Sequence, residues 1–559
     1  MLMVMVAPSK RYAALILLLT LLIILAAGCY TFAPIIELSL CSLKSDAVFT
    51  YEFRINDDGN AHVRVVYSSS LRRGVSWILV PRFIDWVNRT IRGSLIDWTV
   101  EEPEKYTGSQ YYFYKVLSFS FLSESAGFEI AIEYDFPLAA IFVESESTHG
   151  IFYSPQIGFE QGCSFKAIVI FPARFKASVN EAVAIGKNGF YRADKDSNSS
   201  HIFFKSIPVG ENLLRIQIGF SIARDRANTT ILRNGIFEFI TVTRYKDQAK
   251  RIIDLYSSVY DTLIRIFNVT LDSIRVKFFV PDFSTLMSIG GYVPFSGGKL
   301  GDIHINLILT RYMEGYLEVV ALHELVHHFL WKVGVSPEKL LWFHEGVAQY
   351  LSIEIAERMG YEGVRAIKRE ITESIKSLGL TARSNIRFLA EWTPYFTPRS
   401  PNILYTSAYY VVSELAKDYG GFEYYAKFFR LAKGVNLESN TVLCYYLSLA
   451  ANRSLFEKFN QWGFNLPDIY TYWPLIIEVK RTIDGINPVN PFLQPFKKMA
   501  EAFYWAVVSG QASANEAFML LSAALFIARN VTFIALLTYS CMLFLTILLL
   551  ALRFKRKAI

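Results

Sequence analysis

The residues with the clearest chemical potential lie in the pentapeptide His-Glu-Leu-Val-His at positions 323–327. On an α-helix, positions four apart differ by only about 40° around the axis, so His323 and His327 project from one face towards a single point. Glu324 lies one step around the helix, where its carboxylate can reach a water at a bound metal without being a ligand. This arrangement predicts a zinc site with the two histidines as ligands and Glu324 as general base.

A catalytic zinc ion needs a third protein ligand, and the next predicted helix contains a candidate. Gly334 and the pair Ser336-Pro337 interrupt the first helix; Ser336 can cap and Pro337 can begin a second helix. That second helix contains the segment Trp-Phe-His-Glu-Gly-Val-Ala-Gln-Tyr at 342–350. Two helices that run out and back over this length can place Glu345 opposite the two histidines.

Composition limits both the ligands and the partners. The five cysteines, at positions 29, 41, 163, 444 and 541, show no CxxC spacing, so a metal must be held by histidine and carboxylate. The hydrophobic content of 52% is high for a soluble protein, and the aromatic content of 15% indicates packed cores. The net charge of +7 forms no basic stripe, so nucleic acid is not expected as a partner.

The two segments together resemble the gluzincin zinc metallopeptidases, especially the membrane alanyl aminopeptidase type and related peptidase MA-like proteins. In that family the third zinc ligand is a Glu in a W-x-x-E-G-x-A context, which corresponds to Glu345 in this chain. Here 17 residues separate His327 from Glu345, one fewer than is usual for those aminopeptidases. The resemblance covers residues 235–435 and implies a thermolysin-like zincin α/β catalytic domain with a helical C-terminal part.

A second stretch resembles a catalytic helix of the same family. Residues 404–408, Leu-Tyr-Thr-Ser-Ala, run on to Tyr419-Gly420-Gly421 and are similar to the family's P-Y-E-K-G helix, although the intervening letters differ. The family tyrosine donates a hydrogen bond to the oxyanion of the reaction, and the resemblance assigns this role to Tyr405. The alternative is a tyrosine that only packs in the core.

The resemblance implies zinc-dependent hydrolysis of peptide bonds, with a peptide or protein as substrate. Glu324 acts as general base towards the attacking water, and Tyr405 stabilises the oxyanion. A catalytically inactive ectodomain that serves in binding or adhesion is the alternative function, and hydrolysis of another bond is a further one. Intramembrane proteolysis is excluded because Glu314, Glu318 and Lys332 flank the motif with charge.

The remaining polar residues near the motif bear on specificity. Aminopeptidases of this type bind the substrate amine with the Glu of a G-x-M-E-N motif, but the corresponding stretch 297–302 contains Lys299 and only Asp302 as an acid. We therefore expect cleavage inside peptides, with residues 303–309 as an edge strand that pairs with the substrate. Asp302, His304 and Asn306 share one face of that strand, which can equally be an ordinary solvated face.

Two further histidines have less distinctive settings. His328 points about 100° away from the ligand face, so we expect it to be packed or solvated. His344 precedes Glu345, and it either supports a ligand from behind or lies at the surface.

Apolar segments at both ends predict a membrane protein. Lys10 and Arg11 precede the apolar run 12–27, which is typical of a signal peptide or signal anchor. The run ends in a weak lipobox-like sequence at Cys29, and we favour a plain signal, cleaved or retained, over lipidation. The run 531–552 is long enough to span the bilayer and is followed by four basic residues, so both termini should be cytoplasmic and the remainder extracytoplasmic at the cell membrane.

Hydrophobic periodicity predicts an α+β multidomain protein. Residues such as Phe49, Tyr51, Phe53 and Ile55 alternate with polar residues, and the polar turn at 56–60 leads into a second alternating run from Ala61, which predicts a β-hairpin. Repeated short strands of this kind indicate a β-sandwich or saddle. The later chain has a mixed α/β texture and then becomes helical. The predicted segments are 1–29 (signal peptide or anchor), 45–228 (β-rich domain), 235–435 (gluzincin catalytic domain), 436–512 (helical region) and 531–552 (transmembrane helix).

Overall fold

The computed structural model describes residues 47–557, apart from short stretches at 109–110, 112, 125–126, 143–148, 223–228, 281–289, 297–298, 312–314, 362 and 468. The predicted N-terminal signal or anchor, including Cys29, lies outside the described residues. The same is true of Gly297, Gly298 and Glu314.

The first part of the described chain forms a β-rich domain. A six-stranded sheet has the order β15-β11-β1-β2-β7-β4, a seven-stranded sheet is centred on β16, and β3-β6-β5 form a third sheet. The strands are β1 (Val48–Ile55), β2 (Ala61–Ser69), β3 (Arg73–Pro81), β4 (Trp86–Arg92), β5 (Ser94–Glu101), β6 (Tyr114–Leu122), β7 (Phe128–Phe136), β8 (Ala140–Phe142), β9 (His149–Tyr153), β10 (Ile157–Gly158), β11 (Ser164–Ile170), β12 (Phe175–Ala177), β13 (Val183–Gly186), β14 (Phe190–Arg192), β15 (His201–Phe204) and β16 (Leu213–Ile222). A single-turn helix, α1 (Glu104–Thr107), precedes β6.

Alternation of apolar and polar residues places an aromatic core between these sheets. The hairpin predicted around residues 56–60 is confirmed, since β1 and β2 pair antiparallel from Ile55 opposite Ala61 onward. The inward side chains of β1 are buried and meet rings from other strands. For example, the ring centroids of Tyr51 in β1 and Phe165 in β11 lie 5.6 Å apart, and Phe165 in turn stacks on Phe159 at 5.7 Å.

One acidic side chain, Glu211, is buried in this domain and is only 1% exposed. Its carboxylate accepts hydrogen bonds from the backbone N–H groups of Lys187 (3.0 Å) and Asn188 (2.8 Å) and from the Tyr191 hydroxyl (2.7 Å). Burial alone would raise the pKa of Glu211, but these donors outweigh burial and the pKa is lowered. The charged carboxylate therefore fastens the turn between β13 and β14.

A five-stranded mixed sheet with the order β17-β18-β19-β23-β20 begins the next part of the chain. Strands β18, β19 and β23 are parallel, while β17 and β20 pair antiparallel at the two edges. The strands are β17 (Thr229–Asn234), β18 (Phe237–Val242), β19 (Ile274–Phe279), β20 (Gly291–Tyr292), β21 (Phe295–Ser296), β22 (Lys299–Leu300) and β23 (Ile303–Asn306), with β21 and β22 forming a separate hairpin.

The predicted edge strand at 303–309 is wrong in two respects. First, β23 ends at Asn306, whose side-chain oxygen accepts a hydrogen bond from the Ile308 N–H (3.0 Å), and a 3₁₀ turn follows at Leu307–Arg311. Second, the glycine-rich segment folds back, so Gly291 pairs with Ile305 and makes β20 the edge strand. Sequence periodicity could not reveal this pairing because it joins separate segments.

Helices form most of the rest of the molecule. They are α2 (Lys246–Phe267), α3 (Tyr316–Lys332), α4 (Leu341–Arg358), α5 (Gly363–Ser377), α6 (Phe388–Glu391), α7 (Pro401–Tyr419), α8 (Phe422–Leu431), α9 (Asn440–Ala451), α10 (Phe456–Gln461), α11 (Trp473–Asp484), α12 (Gln494–Val508), α13 (Ala514–Arg529) and α14 (Val531–Lys557). The core of this region joins α2, α3, α4, α7 and the mixed sheet into one apolar cluster.

A buried arginine joins the two parts of the molecule. Arg311, just after β23, is 3% exposed and donates hydrogen bonds from Nε to the carbonyl of Leu138 (2.9 Å) and from its guanidinium to that of Ala139 (3.3 Å). Its guanidinium also lies 5.4 Å from the ring centroid of Phe136. The β domain and the helical part therefore meet at a specific polar contact.

The last helix, α14, differs from the others in composition and exposure. Its segment Val531–Phe554 has a mean hydropathy of 2.4 and is only 6% buried. By length and composition it can cross a membrane. The chain therefore has an N-terminal β-rich domain, a helical C-terminal part and one apolar C-terminal helix, as the sequence predicts.

Candidate metal centre

Helix α3 carries the first two candidate ligands. It begins after Gly315, whose φ of 106° is readily adopted by glycine, and the Glu318 carboxylate accepts a hydrogen bond from the Gly315 N–H (2.7 Å). The helical spacing then turns His323 and His327 towards the same point, with their ring centroids 4.7 Å apart. The helix is almost entirely buried, which fixes the direction of both rings.

Helix α4 packs along α3 and brings Glu345 to the two histidines. Oε2 of Glu345 lies 3.0 Å from Nε2 of His323 and 3.6 Å from Nε2 of His327. The candidate ligand atoms of the three residues all lie within 4.8 Å of one another. Two imidazoles and one carboxylate, converging in this way, match the donor set of a catalytic zinc site that keeps one position open.

The electrostatics of the three residues reflect their mutual contact. Burial opposes protonation of His323, but its hydrogen bond to Glu345 and the charges of Glu345 and Glu324 raise its pKa. Burial alone would raise the pKa of Glu345, but the histidines and the nearby Tyr405 hydroxyl lower it. Burial lowers the pKa of His327 well below its usual value. An anionic Glu345 and a neutral His327 are the forms that bind a metal.

Glu324 lies beside this cluster and is not part of it. It is 5% exposed, and no hydrogen-bond donor reaches its carboxylate among the described residues. Burial raises the pKa of Glu324 to about 8, with the charge of His323 lowering it and that of Glu345 raising it. A nearby dication would favour the ionised form that a general base requires.

The edge strand β20 passes directly over Glu324. A Cβ atom placed on Gly291 would lie 2.8 Å from Cγ and 2.9 Å from Oε1 of Glu324. Only glycine therefore allows this close approach of the backbone. Sequence reasoning missed Gly291, although the pair Gly290-Gly291 before an aromatic residue was a detectable signal.

Tyr405 reaches the cluster from α7, which packs against α4. Its hydroxyl lies near Glu345 and lowers the pKa of that carboxyl, and its ring meets Trp392 edge-on with the ring centroids 5.2 Å apart. The charge of Glu345 and burial raise the pKa of Tyr405 well above its usual value, so the hydroxyl remains a donor. The structure thus brings Tyr405 to the same site as the predicted ligands.

His344 also belongs to the site, which the sequence left undecided. It is 2% exposed, and its Nδ1 lies 2.8 Å from Nδ1 of His327, so one ring nitrogen donates to the other. Burial lowers the pKa of His344 to about 3, with nearby histidines adding to the effect, so the ring is neutral. It contacts the Nδ1 side of the His327 ring, away from the candidate ligand nitrogen Nε2, and holds that ring in place.

The other polar residues singled out in the sequence lie elsewhere. Asp302 pairs with Lys277 (3.0 Å) and Arg275 (3.6 Å) from the neighbouring strand. The ring of His304 stacks on Tyr292 with centroids 4.5 Å apart. His328 faces the same cleft as Asp302, away from the ligand cluster.

Comparison with known proteins gives only distant similarity. No protein-family model and no curated protein sequence matches this chain. Two solved structures of leukotriene A4 hydrolase from Saccharomyces cerevisiae, one native and one in complex with bestatin, align at 13% identity. Both alignments cover 82% of this chain and 72% of the hydrolase, with TM-scores of 0.28 and 0.29. A similarity of this size does not establish function, which rests on the residues of the site.

Proposed function

We propose that this protein is a membrane-anchored zinc metallopeptidase whose catalytic domain lies outside the cytoplasm. The convergence of His323, His327 and Glu345 carries the proposal, together with the buried Glu324 beside them, which has no hydrogen-bond partner in the described part of the chain. The donor set matches a catalytic zinc site, and the gluzincin resemblance of the two helical segments points to the same chemistry.

The three ligands would hold the zinc, and Tyr405 and Glu324 would flank it. A zinc ion supplies Lewis acidity, which lowers the pKa of water and polarises a carbonyl group. Glu324 accepts the proton of the attacking water and delivers it to the leaving amine. Tyr405 turns its hydroxyl from Glu345 towards the developing oxyanion, which is a stronger acceptor than the neutral carbonyl.

The arrangement favours cleavage inside a peptide over removal of an N-terminal residue. A substrate amine needs an acidic partner, and the candidate Asp302 is engaged by Lys277 and Arg275. The edge strand β20 beside Glu324 offers backbone groups for pairing with an extended peptide. Pairing of this kind with the interior of a peptide does not require a free terminus.

Metal analysis of the purified full-length protein tests the zinc site. We expect about one zinc per chain, loss of peptidase activity on chelation, and loss of metal in His323→Ala, His327→Ala and Glu345→Ala. His328→Ala is the matched control on the same helix and should keep zinc. Retention of zinc in all three ligand variants would refute the site, and bound zinc without hydrolysis of a peptide library would favour a binding module.

Paired peptide substrates test the specificity. We expect internal cleavage of N-terminally acetylated peptides at rates similar to those of the free peptides. If acetylation abolishes cleavage, the enzyme is an aminopeptidase, and Asp302→Asn becomes the next variant to measure.

The orientation in the membrane follows from the positive charge after the apolar helix. We expect protease added to intact cells to digest the region 45–510, while a tag after Ile559 remains protected. An accessible tag with a protected catalytic region would reverse the topology.

A further inference from the structure

We propose that the loop at residues 485–492, between α11 and α12, inserts into the outer leaflet of the membrane that α14 crosses. This inference rests on α14 as a membrane span and goes beyond it, because it adds a second point of membrane contact from the folded body. Three independent observations support it: the position of the loop along α14, the exposure of its apolar side chains, and the internal pairing of its backbone.

The loop packs on α14 well beyond the start of that helix. The ring of Phe492 meets Tyr539 edge-on with centroids 5.5 Å apart, and Phe496 in the first turn of α12 meets the same ring at 6.2 Å. Tyr539 is in the third turn of α14. The loop therefore lies alongside the apolar helix and not above its end.

The length of α14 relative to the thickness of the bilayer places this contact below the membrane surface. The first charged residue after the apolar segment is Arg553. The hydrocarbon core is about 30 Å thick and a helix rises about 1.5 Å per residue, so about 20 residues reach from Arg553 back to Phe533. Tyr539 lies roughly 14 residues before Arg553, or about 21 Å. Tyr539 and Phe492 would then lie about 9 Å inside the hydrocarbon boundary.

Charged residues mark the aqueous side of the same boundary. Arg529, at the end of α13, forms an ion pair with Glu478 of α11. Arg529 lies four residues before Phe533, at the junction of α13 and α14, so the pair lies near the level where the headgroups begin.

The side chains presented by the loop are apolar and face outward. Val489 is 84% exposed and Phe492 is 63% exposed, whereas Ile486 is buried and anchors the loop to the body. Exposure of this apolar area is unfavourable in water and favourable in a lipid environment. Because the loop lies alongside α14, the lipid bilayer that α14 crosses is the partner that these exposed side chains would contact.

The loop pairs its own backbone N–H groups. The Asn487 side-chain oxygen accepts a hydrogen bond from the Val489 N–H (2.9 Å), and the Asn490 oxygen accepts one from the Phe492 N–H (3.0 Å). Both residues with exposed apolar side chains therefore have satisfied backbone donors. In hydrocarbon, where water cannot replace a missing partner, such pairing is required.

The remaining polar groups of the loop follow the same rule. Pro488 and Pro491 have no N–H group to satisfy. The Gln494 side chain donates hydrogen bonds to the carbonyls of Asn487 (3.2 Å) and Pro488 (3.1 Å), with a longer one to Asn490 (3.4 Å). One side chain thus pairs with three backbone carbonyls of the loop, which reduces the number of polar groups that would need a partner in lipid.

Depth-dependent fluorescence on the full-length protein tests the proposal. We would attach the environment-sensitive fluorophore NBD at Val489→Cys in a chain with Cys29, Cys41 and Cys541 replaced by serine. Cys163 and Cys444 are buried and need no replacement. The protein would be reconstituted in phosphatidylcholine vesicles that contain lipids with nitroxide quenchers at known acyl-chain depths.

Two control positions make the outcomes distinct. Leu545→Cys, near the middle of α14, reports the span itself, and Phe190→Cys, 75% exposed on β14, reports water. We expect a blue-shifted, lipid-quenched signal at 489 and 545 but not at 190. A lipid signal at 545 with an aqueous signal at 489 would overturn the loop insertion while leaving the span intact. An aqueous signal at 545 would overturn both, without bearing on the zinc site.

Discussion

Glu211 in the β domain and Glu324 beside the candidate metal centre are both buried glutamates, but their surroundings differ. Three donors satisfy Glu211, and its pKa is lowered despite burial. No donor in the described chain reaches Glu324, and burial raises its pKa to about 8. A buried carboxylate with partners stabilises its surroundings, whereas one without partners lowers stability and is retained for another reason.

The core of the β domain and the core of the helical part also differ in their polar content. The β domain packs aromatic rings such as Phe159 and Phe165 against each other. The helical core, in contrast, contains a contiguous group of three histidines and two acids around α3 and α4. Polar and titratable groups concentrated in an otherwise apolar core are typical of a functional site.

The strongest test of the contrast exchanges each acid for its amide. Glu324→Gln removes the base and keeps the ligands, so kcat should fall by about 10²–10⁴-fold with zinc retained and stability unchanged or increased. Glu211→Gln weakens the hydrogen bonds of a structural carboxylate, so the free energy of unfolding should fall by about 1–3 kcal/mol with kcat unchanged. Steady-state kinetics, metal analysis and denaturant unfolding measure these effects.

The distinction between a structural Glu211 and a functional Glu324 would be wrong if the two variants exchanged their behaviour. A Glu324→Gln protein that keeps full kcat, or a Glu211→Gln protein that is folded but inactive, would show that burial and hydrogen bonding do not separate the two roles.

A smaller effect is expected at Tyr405. Tyr405→Phe removes a donor that acts mainly in the transition state, so kcat should fall by about 10²-fold while zinc content and KM change little. Tyr409→Phe, one turn later on the same helix, is the matched control and should retain activity. Unchanged kcat in Tyr405→Phe would leave this residue with only its packing role against Trp392.

The smallest effect is expected at Gly291, where the edge strand β20 approaches Glu324. Gly291→Ala places a Cβ atom 2.8 Å from Cγ of Glu324, so the carboxylate must shift, and kcat/KM should fall by about 10- to 100-fold. Gly210→Ala is the control because no heavy atom lies within 4 Å of the added Cβ. Equal activity of the two variants would show that Glu324 tolerates displacement.

The ligand cluster could be predicted because its signals are local. The spacing of His323 and His327 depends only on the helical period, and the break at Gly334 precedes the helix that carries Glu345. The alternation of β1 likewise follows from neighbouring residues, and the predicted hairpin is present.

The surroundings of the site could not be predicted, because they depend on pairing between distant segments. Gly291 approaches Glu324 only because β20 pairs with β23. Asp302 is unsuited to bind an amine because the neighbouring strand β19 supplies Lys277 and Arg275. No periodicity in the sequence encodes either contact.

The hydrogen bonds from Arg311 to the β domain affect the order of folding. Arg311 joins the helical part to the Leu138 carbonyl of the β domain, 173 residues earlier in the chain. Contacts of such sequence separation close late, because the intervening chain must be ordered first. We therefore expect the β domain to collapse on its own and to lock onto its neighbour in a distinct late step. Arg311→Lys, which loses the forked geometry, should slow that step more than the formation of either core.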